Sequence, residues 1–362
     1  MVAGESGLEL RLQEKNDILS ALAGWLKAKF SEMGVMGASE AVDNWQVLGG
    51  DAGFRHYFRI PNTILLSSCR YLAVWAPPES EKNQEFVSIA HHLKAQGLRA
   101  PEVYAFDPEQ GFLLIEDLGE SMLFDRLGAV GIDDHYSSAI ELLVHLQQGE
   151  APAEIFPYYS EVELERELQL FSQWFVGELL QHCLDEAEQG LLASTFELLR
   201  GSAAEQPQVI VHRDYHSRNI VICENNELGL IDFQDAVLGP CSYDVVSLLR
   251  DCYVKWPDRK VDAWAHDFYQ LSKARGQLRG IDNTTFVRWF DWMGLQRHIK
   301  VLGIFSRLYL RDGKASYLSD LPLVIHYTRT VAHKYPQLSV FAEWFDGVLL
   351  PLAERQAWMK AV

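Results

Sequence analysis

His212-Arg213-Asp214-Tyr215-His216-Ser217-Arg218-Asn219, followed thirteen residues later by Asp232 within Ile231-Asp232-Phe233, is the stretch from which the rest of the chain is read. It has the form H-x-D with an Asn five residues after the Asp, then an apolar segment running directly into Asp-Phe. In phosphoryl transfer that spacing has a mechanical reason. The first Asp accepts the proton of an attacking hydroxyl, and the Asn and second Asp supply hard oxygen ligands that hold magnesium against phosphates. Taken singly, Asp214, Asn219 and Asp232 read as ordinary turn residues; jointly, and between short apolar strands, they read as a site. His212 reads as a packed brace, while His216, in the loop itself, is open between a ligand contact and a solvent-exposed position.

Working outward, Val209-Ile210-Val211, Ile220-Val221-Ile222 and Leu228 to Ile231 read as three short strands around the loop, with a turn through Asn225 and Asn226 returning Asp232 toward it. Upstream, Trp45 to Leu48, Tyr57 to Ile60, Ile64 to Ser67, Tyr71 to Trp75, Val103 to Phe106 and Phe112 to Ile115 are rich in β-branched and aromatic residues and predict an antiparallel sheet. One helix interrupts it, from about Lys82 to Gln96. Residues 8 to 30 carry apolar positions at helical spacing and predict an amphipathic lid or brace. Beyond Gly119, helical periodicity dominates over 135 to 147, 163 to 181, 190 to 200 and from 243 onward. The expectation is an α+β, bilobal architecture: a small antiparallel β-rich N-lobe over 1–118 and a larger, mostly helical C-lobe over 119–362, with a ligand-binding hinge near Glu116 to Gly119.

The chain of 362 residues is long enough for two such lobes, and its formal charge of -18 without a run of basic residues disfavours nucleic acid and anionic membrane as partners. No protein partner is indicated. Five cysteines without a C-x-x-C pair fit a reducing compartment, and the absence of a basic-then-apolar N-terminus or a long apolar run points to the cytoplasm. No Walker A sequence occurs, which argues against a P-loop enzyme; Asp232-Phe233-Gln234 in place of D-F-G argues against a protein kinase.

These residues resemble the aminoglycoside phosphotransferase and choline kinase superfamily, whose H-x-D-x-x-x-x-N loop and following I-D-[FW] strand match His212 to Asn219 and Ile231 to Phe233. Further segments, Gly111-Phe112-Leu113-Leu114-Ile115-Glu116-Asp117-Leu118-Gly119, Ala76-Pro77-Pro78-Glu79, Gln234-Asp235-Ala236 with Gly239-Pro240, and Tyr243-Asp244, look like one branch, the anomeric N-acetylmuramate and N-acetylglucosamine kinases of bacterial cell-wall recycling. The resemblance implies a protein-kinase-like fold, ATP and Mg2+ as cofactors, and an amino sugar as the small-molecule substrate, phosphorylated at its anomeric hydroxyl. It implies Asp214 as base, Asn219 and Asp232 as magnesium ligands, the backbone of Glu116, Asp117 and Leu118 beside adenine, and Asp244 supporting the catalytic loop.

The sequence departs from the wider superfamily in two places, one strand and a glycine segment, Gly49-Gly50-x-x-Gly53, that is not G-x-G-x-x-G. Tyr71-Leu72-Ala73-Val74-Trp75 lacks the lysine that pairs the nucleotide phosphates, so another cation must replace it; Arg55, Arg59 and Lys82 are the nearest, with Arg55 and Arg59 favoured. Gly49, Gly50 and Gly53 lie where a phosphate-covering loop would fall. For the acceptor, Arg213, Gln234, Asp235, Tyr243 and Arg250 are the nearby polar residues, with Arg213 or Arg250 as partner for a substrate carboxylate. The aromatics from Trp256 to Trp292 read as core. Choline, homoserine or an aminoglycoside as acceptor, or a non-catalytic binding module, are the alternatives.

Overall fold

The computed structural model describes residues 2–35, 38–48, 54–61, 70–128 and 131–360. Gly49, Gly50, Gly53, the strand expected at 64–67, and Cys69 lie outside them. The chain divides into two compact units, one comprising 1–121 with 221–235 and the other 122–220 with 236–362.

The first unit opens with α1 (Val2–Glu32) and α2 (Ala38–Asp43). A five-stranded antiparallel sheet follows, built from β1 (Gln46–Leu48), β2 (His56–Ile60), β3 (Tyr71–Trp75), β4 (Val103–Asp107) and β5 (Phe112–Glu116) in the order β1-β2-β3-β5-β4. Successive side chains alternate between the faces. Phe58 and Ile60, Tyr71 and Ala73, and Phe112 and Leu114 accordingly point one way and pack against Leu22, Leu26 and Phe30 of α1. Of the two roles expected for the N-terminal helix, the core it forms with the sheet is that of a brace. Tyr57 and Arg59 take the opposite face. Between β3 and β4, α3 (Asn83–Ala95) buries Phe86, Ile89, Ala90 and Leu93.

Gly111 closes the turn before β5 at φ +68, where a Cβ would sit 2.0 Å from the Ala76 carbonyl oxygen, so no other residue fits.

The second unit is mainly helical: α4 (Ile132–Gln148), α5 (Glu161–Leu170), a π-helical turn over Phe171–Leu179, and α6 (Glu186–Ala204). Strand β6 (Gln208–Val211) then leads into the loop at 212–219. Strands β7 (Ile220–Ile222) and β8 (Leu228–Leu230), which pair with each other, belong to the first unit's 221–235 segment apart from Ile220, and β9 (Val237–Pro240) in the second unit returns antiparallel to β6. Helices α7 (Tyr243–Leu249), α8 (Asp258–Ala274), α9 (Asn283–Asp312) and α10 (Leu321–Lys334) follow. Trp292, Leu295, Ile299 and Leu302 of α9 are central to the core of this unit, together with Phe171, Phe175 and Phe196. No helix among the described residues is long and apolar enough to cross a membrane. Cys183, Cys223, Cys241 and Cys252 are free thiols.

Candidate active site

In the second unit, the loop after β6 is held from below by Asp244 on α7. The Asp244 carboxylate is fully buried and accepts the backbone N–H groups of His212 at 2.6 Å and Arg213 at 3.1 Å. That grip stabilises an uncommon backbone: Arg213 has φ +76, the left-handed region that disfavours side chains. Burial pushes the Asp244 carboxyl up to about 7, against the lowering pull of the two N–H groups and of Arg297.

The other loop residues are fixed one by one. His212 packs edge-on against Tyr215, whose hydroxyl donates to the Ala139 carbonyl at 2.7 Å. Ser217 donates its hydroxyl to Asp251 at 2.6 Å, and the Arg218 guanidinium lies between Phe124 and Tyr253. Asn219 donates its side-chain amide to the Asp214 carbonyl at 3.1 Å, which sets the orientation of its own amide group. Asp214 is thereby presented at the top of a braced turn. Burial works to raise its carboxyl, but the neighbouring His216, Lys300, His212 and Arg213 outweigh burial and hold it below the usual carboxylate range. It is ionised at neutral pH, as a proton acceptor must be.

Asp214 borders a cavity of about 110 Å3 lined also by His216, Tyr243, Tyr253, Arg297 and Lys300. Of the residues expected at the acceptor, Tyr243 lines this space, and His216 does as well. Arg213 turns to Glu167, a buried carboxylate on α5 that also takes Lys300 at 2.9 Å and the Tyr159 hydroxyl. Arg250 ion-pairs with buried Asp291 at 2.7 Å and lies over Phe290. Glu167, Arg297 and Lys300 were not singled out from the sequence. Arg297 and Lys300 sit three residues apart on α9, a step that shares a helix face, but they are embedded in an apolar-rich segment that reads as core.

In the first unit, Asp232 follows β8 with φ +64, again left-handed for a residue with a side chain. Phe233 anchors the segment by stacking on Phe86, ring centres 5.0 Å apart. A relay runs from there. Arg55 donates to the Gln234 side-chain oxygen at 3.0 Å, and the Gln234 amide donates to Asp232 at 2.9 Å. Arg55 also donates to the Lys82 carbonyl, pairs with Glu81 at 3.2 Å and stacks over Phe86. Lys82 pairs with Asp235 at 2.6 Å. Gln234 and Asp235, expected near the acceptor, are thus tied to Arg55, Asp232 and Lys82.

Arg59 grips Asp117 with two bonds, 2.6 and 3.0 Å, and also pairs with Glu120. Its carboxylate partner in turn receives the Gly119 N–H at 3.0 Å. Glu116 is bidentate to Arg99, and Leu118 is buried. The N–H groups of Glu116 and Asp117 already donate to the carbonyls of Glu102 and Arg70.

Comparison with known proteins places this arrangement. A family profile described as "Phosphotransferase enzyme family" matches residues 44–281. The N-acetylmuramate/N-acetylglucosamine kinase of Pseudomonas putida is 37% identical over 311 residues, 86% of this chain and 88% of that protein. The protein of the same name from Pseudomonas aeruginosa is 39% identical over 297 residues, 81% of this chain and 85% of that one. Among solved structures, the Plasmodium vivax ethanolamine kinase superposes with a TM-score of 0.57 at 12% identity, covering 82% of this chain and 83% of that one, and shares the kinase-like fold. The chain belongs to the phosphotransferase enzyme family, and within it to the N-acetylmuramate/N-acetylglucosamine kinases.

Proposed function

We propose that the chain transfers the γ-phosphoryl group of Mg-ATP to the anomeric hydroxyl of N-acetylmuramate and N-acetylglucosamine. The observation that carries the chemistry is Asp214, ionised, bordering a cavity in a loop pinned at both ends by Asp244 and Asn219. The substrate class is supported by the identity of 37% and 39% to kinases bearing that name.

In this reading the sugar hydroxyl hydrogen-bonds to the Asp214 carboxylate, which takes its proton as the oxygen attacks phosphorus in line with the departing ADP oxygen. Most of the acceleration comes from positioning and charge neutralisation. Asn219 and Asp232 present an amide and a carboxylate oxygen, the hard donors magnesium prefers, each orientated by a hydrogen bond through its own side chain. Magnesium, when bound, neutralises charge on the phosphates. Arg55, joined through Gln234 to Asp232, is the phosphate-side cation that replaces the lysine absent from β3. Arg59 fixes Asp117 within the 116–118 segment proposed to meet adenine, and Gly49, Gly50 and Gly53 retain the proposed role of covering phosphates.

The test is turnover of ATP by the purified chain with magnesium on the two amino sugars, choline and kanamycin, the phosphorylated position read by phosphorus NMR. Anomeric phosphate on the amino sugars is expected. Turnover confined to choline or kanamycin would sink the sugar assignment.

A further inference from the structure

Two cations, Arg297 and Lys300, line the acceptor-side cavity together with two carboxylates, Asp214 and Asp251, and Asp251 is taken up by the Ser217 hydroxyl and the Tyr253 N–H. Arg213 and Lys300 share the Glu167 carboxylate, Arg213 also pairs with Glu163 at 3.9 Å, and Lys300 donates a further proton to the Tyr243 hydroxyl at 3.1 Å. Arg297 is only 6% exposed, with its guanidinium over the Tyr243 ring at 5.1 Å. Its Nε and Nη1 atoms are buried without a hydrogen-bond partner. A buried guanidinium with unmet N–H groups is costly unless an anion completes it. It lines the same cavity as Asp214 and Lys300, while Val301, Ile304 and Phe305 make that wall apolar and strengthen any charge contact made there.

We propose that Arg297 and Lys300 form an anion subsite of the acceptor pocket that takes a carboxylate of the sugar substrate, so that the chain reads acidic and neutral amino sugars differently. This rests on the amino-sugar reading above. N-acetylmuramate differs from N-acetylglucosamine by an ether-linked lactyl arm ending in a carboxylate, the group that a guanidinium and an ammonium together recognise. Arg213 and Arg250, the sequence's candidates for that partner, pair with Glu167 and Asp291 and are not among the residues that line the cavity. Burial would discharge Lys300, but Tyr243, Glu167 and Asp214 keep its ammonium protonated. Tyr243, contacted by both cations, positions them.

The experiment uses the full chain and three acceptors: N-acetylmuramate, its uncharged carboxamide, and N-acetylglucosamine. The wild type is expected to show kcat/KM for the acid at least about tenfold above the carboxamide, expressed in KM rather than kcat because the contact persists from ground to transition state. In Lys300→Met and Arg297→Gln the acid-to-carboxamide ratio should fall toward one, and Arg297→Lys should restore part of it. The ratio is unaffected by any fraction of variant that fails to fold. Equal wild-type rates on acid and carboxamide, or variants that lose all three acceptors in parallel, would overturn the subsite and assign the pair to the transferring phosphoryl group or to the loop. Turnover of none of the three by the wild type would overturn the amino-sugar reading itself, and the subsite with it.

Discussion

Asp214, half-buried, and Asp244, fully buried, are neighbouring carboxylates with opposite settings. Cations around Asp214 overcome burial and keep it charged, whereas burial dominates at Asp244 and raises it to about 7. The first is the proposed proton acceptor, and the second holds the backbone N–H groups of His212 and Arg213. Asp214→Asn keeps the volume and removes the proton acceptor, so kcat on the amino sugar should drop by about 10²- to 10⁴-fold while KM and the melting temperature change little; a loss below tenfold in steady-state kinetics would remove the base assignment. Gln234 is the middle of the Arg55–Gln234–Asp232 relay. Gln234→Leu strands both ends, and a lost hydrogen bond to a charged group corresponds to roughly 1.5–3 kcal/mol, about 10- to 150-fold. The expected signature is a rise of that order in KM for Mg-ATP with a higher magnesium requirement, read by titrating the metal at fixed nucleotide; an unchanged metal requirement would leave Gln234 no part in placing Asp232.

At the scale of elements, α9 is the central helix of the second unit's core and carries both halves of its role. One side fills the core, and a three-residue step on another presents Arg297 and Lys300 to the cavity. Its close approach to the α5 end depends on Gly303, where a Cβ would stand 2.4 Å from the Leu170 carbonyl carbon and 2.6 Å from its oxygen. That contact is with backbone, which cannot turn aside, and it lies where the helix passes into its π-helical turn. Gly303→Ala should therefore destabilise the chain by about 1–3 kcal/mol in denaturant melts. Gly201 in α6 is the contrast: a Cβ there meets nothing within 4 Å, so Gly201→Ala should stabilise by about 0.5–1 kcal/mol. Equal effects at the two positions would show that helix propensity, not packing, governs both. The strands that form the sheet were legible from their β-branched and aromatic runs, and their observed ends differ by a residue or so. β9 was missed because Val237-Leu238-Gly239-Pro240 is too short and ends in Gly-Pro, and its strand character comes from pairing with β6.

For the whole molecule, folding stability integrates buried groups of opposite sign. His298 on α9 is fully buried, stacks on Tyr327, and is held neutral, its pKa lowered to about 3 chiefly by burial and then by Arg297. A depressed folded pKa means stability is complete above the unfolded value near 6.5 and is lost as pH falls toward 3. Asp244 acts the other way: its contribution is complete below about 4 and is lost as pH rises through about 7. The two slopes oppose each other between about pH 4 and 6.5, and below that window only the His298 loss continues. His298→Gln should remove an acid-side slope of up to about 1.4 kcal/mol per pH unit. Denaturant melts of both proteins from pH 4 to 8 check it, and parallel curves would mean that His298 is not the group protonated on unfolding.

From the sequence alone came the enzyme class: the H-x-D loop, the five-residue step to Asn219, and Asp232 after an apolar strand are local in sequence, and the roles proposed for them rest on residue type and spacing. The same local patterns predicted a β-rich segment followed by a helical one, because hydrophobic periodicity is a property of neighbours along the chain. The sorting of the arginines belongs to the tertiary structure. Arg213, Arg250, Arg55 and Arg59 look alike in the sequence, yet folding commits the first to Glu167 and the second to Asp291, ties the third to Gln234 and the fourth to Asp117, and places Arg297 against a cavity with N–H groups unmet. Charge pairing is decided by distances between residues tens to hundreds of positions apart, and only the packed chain sets those distances.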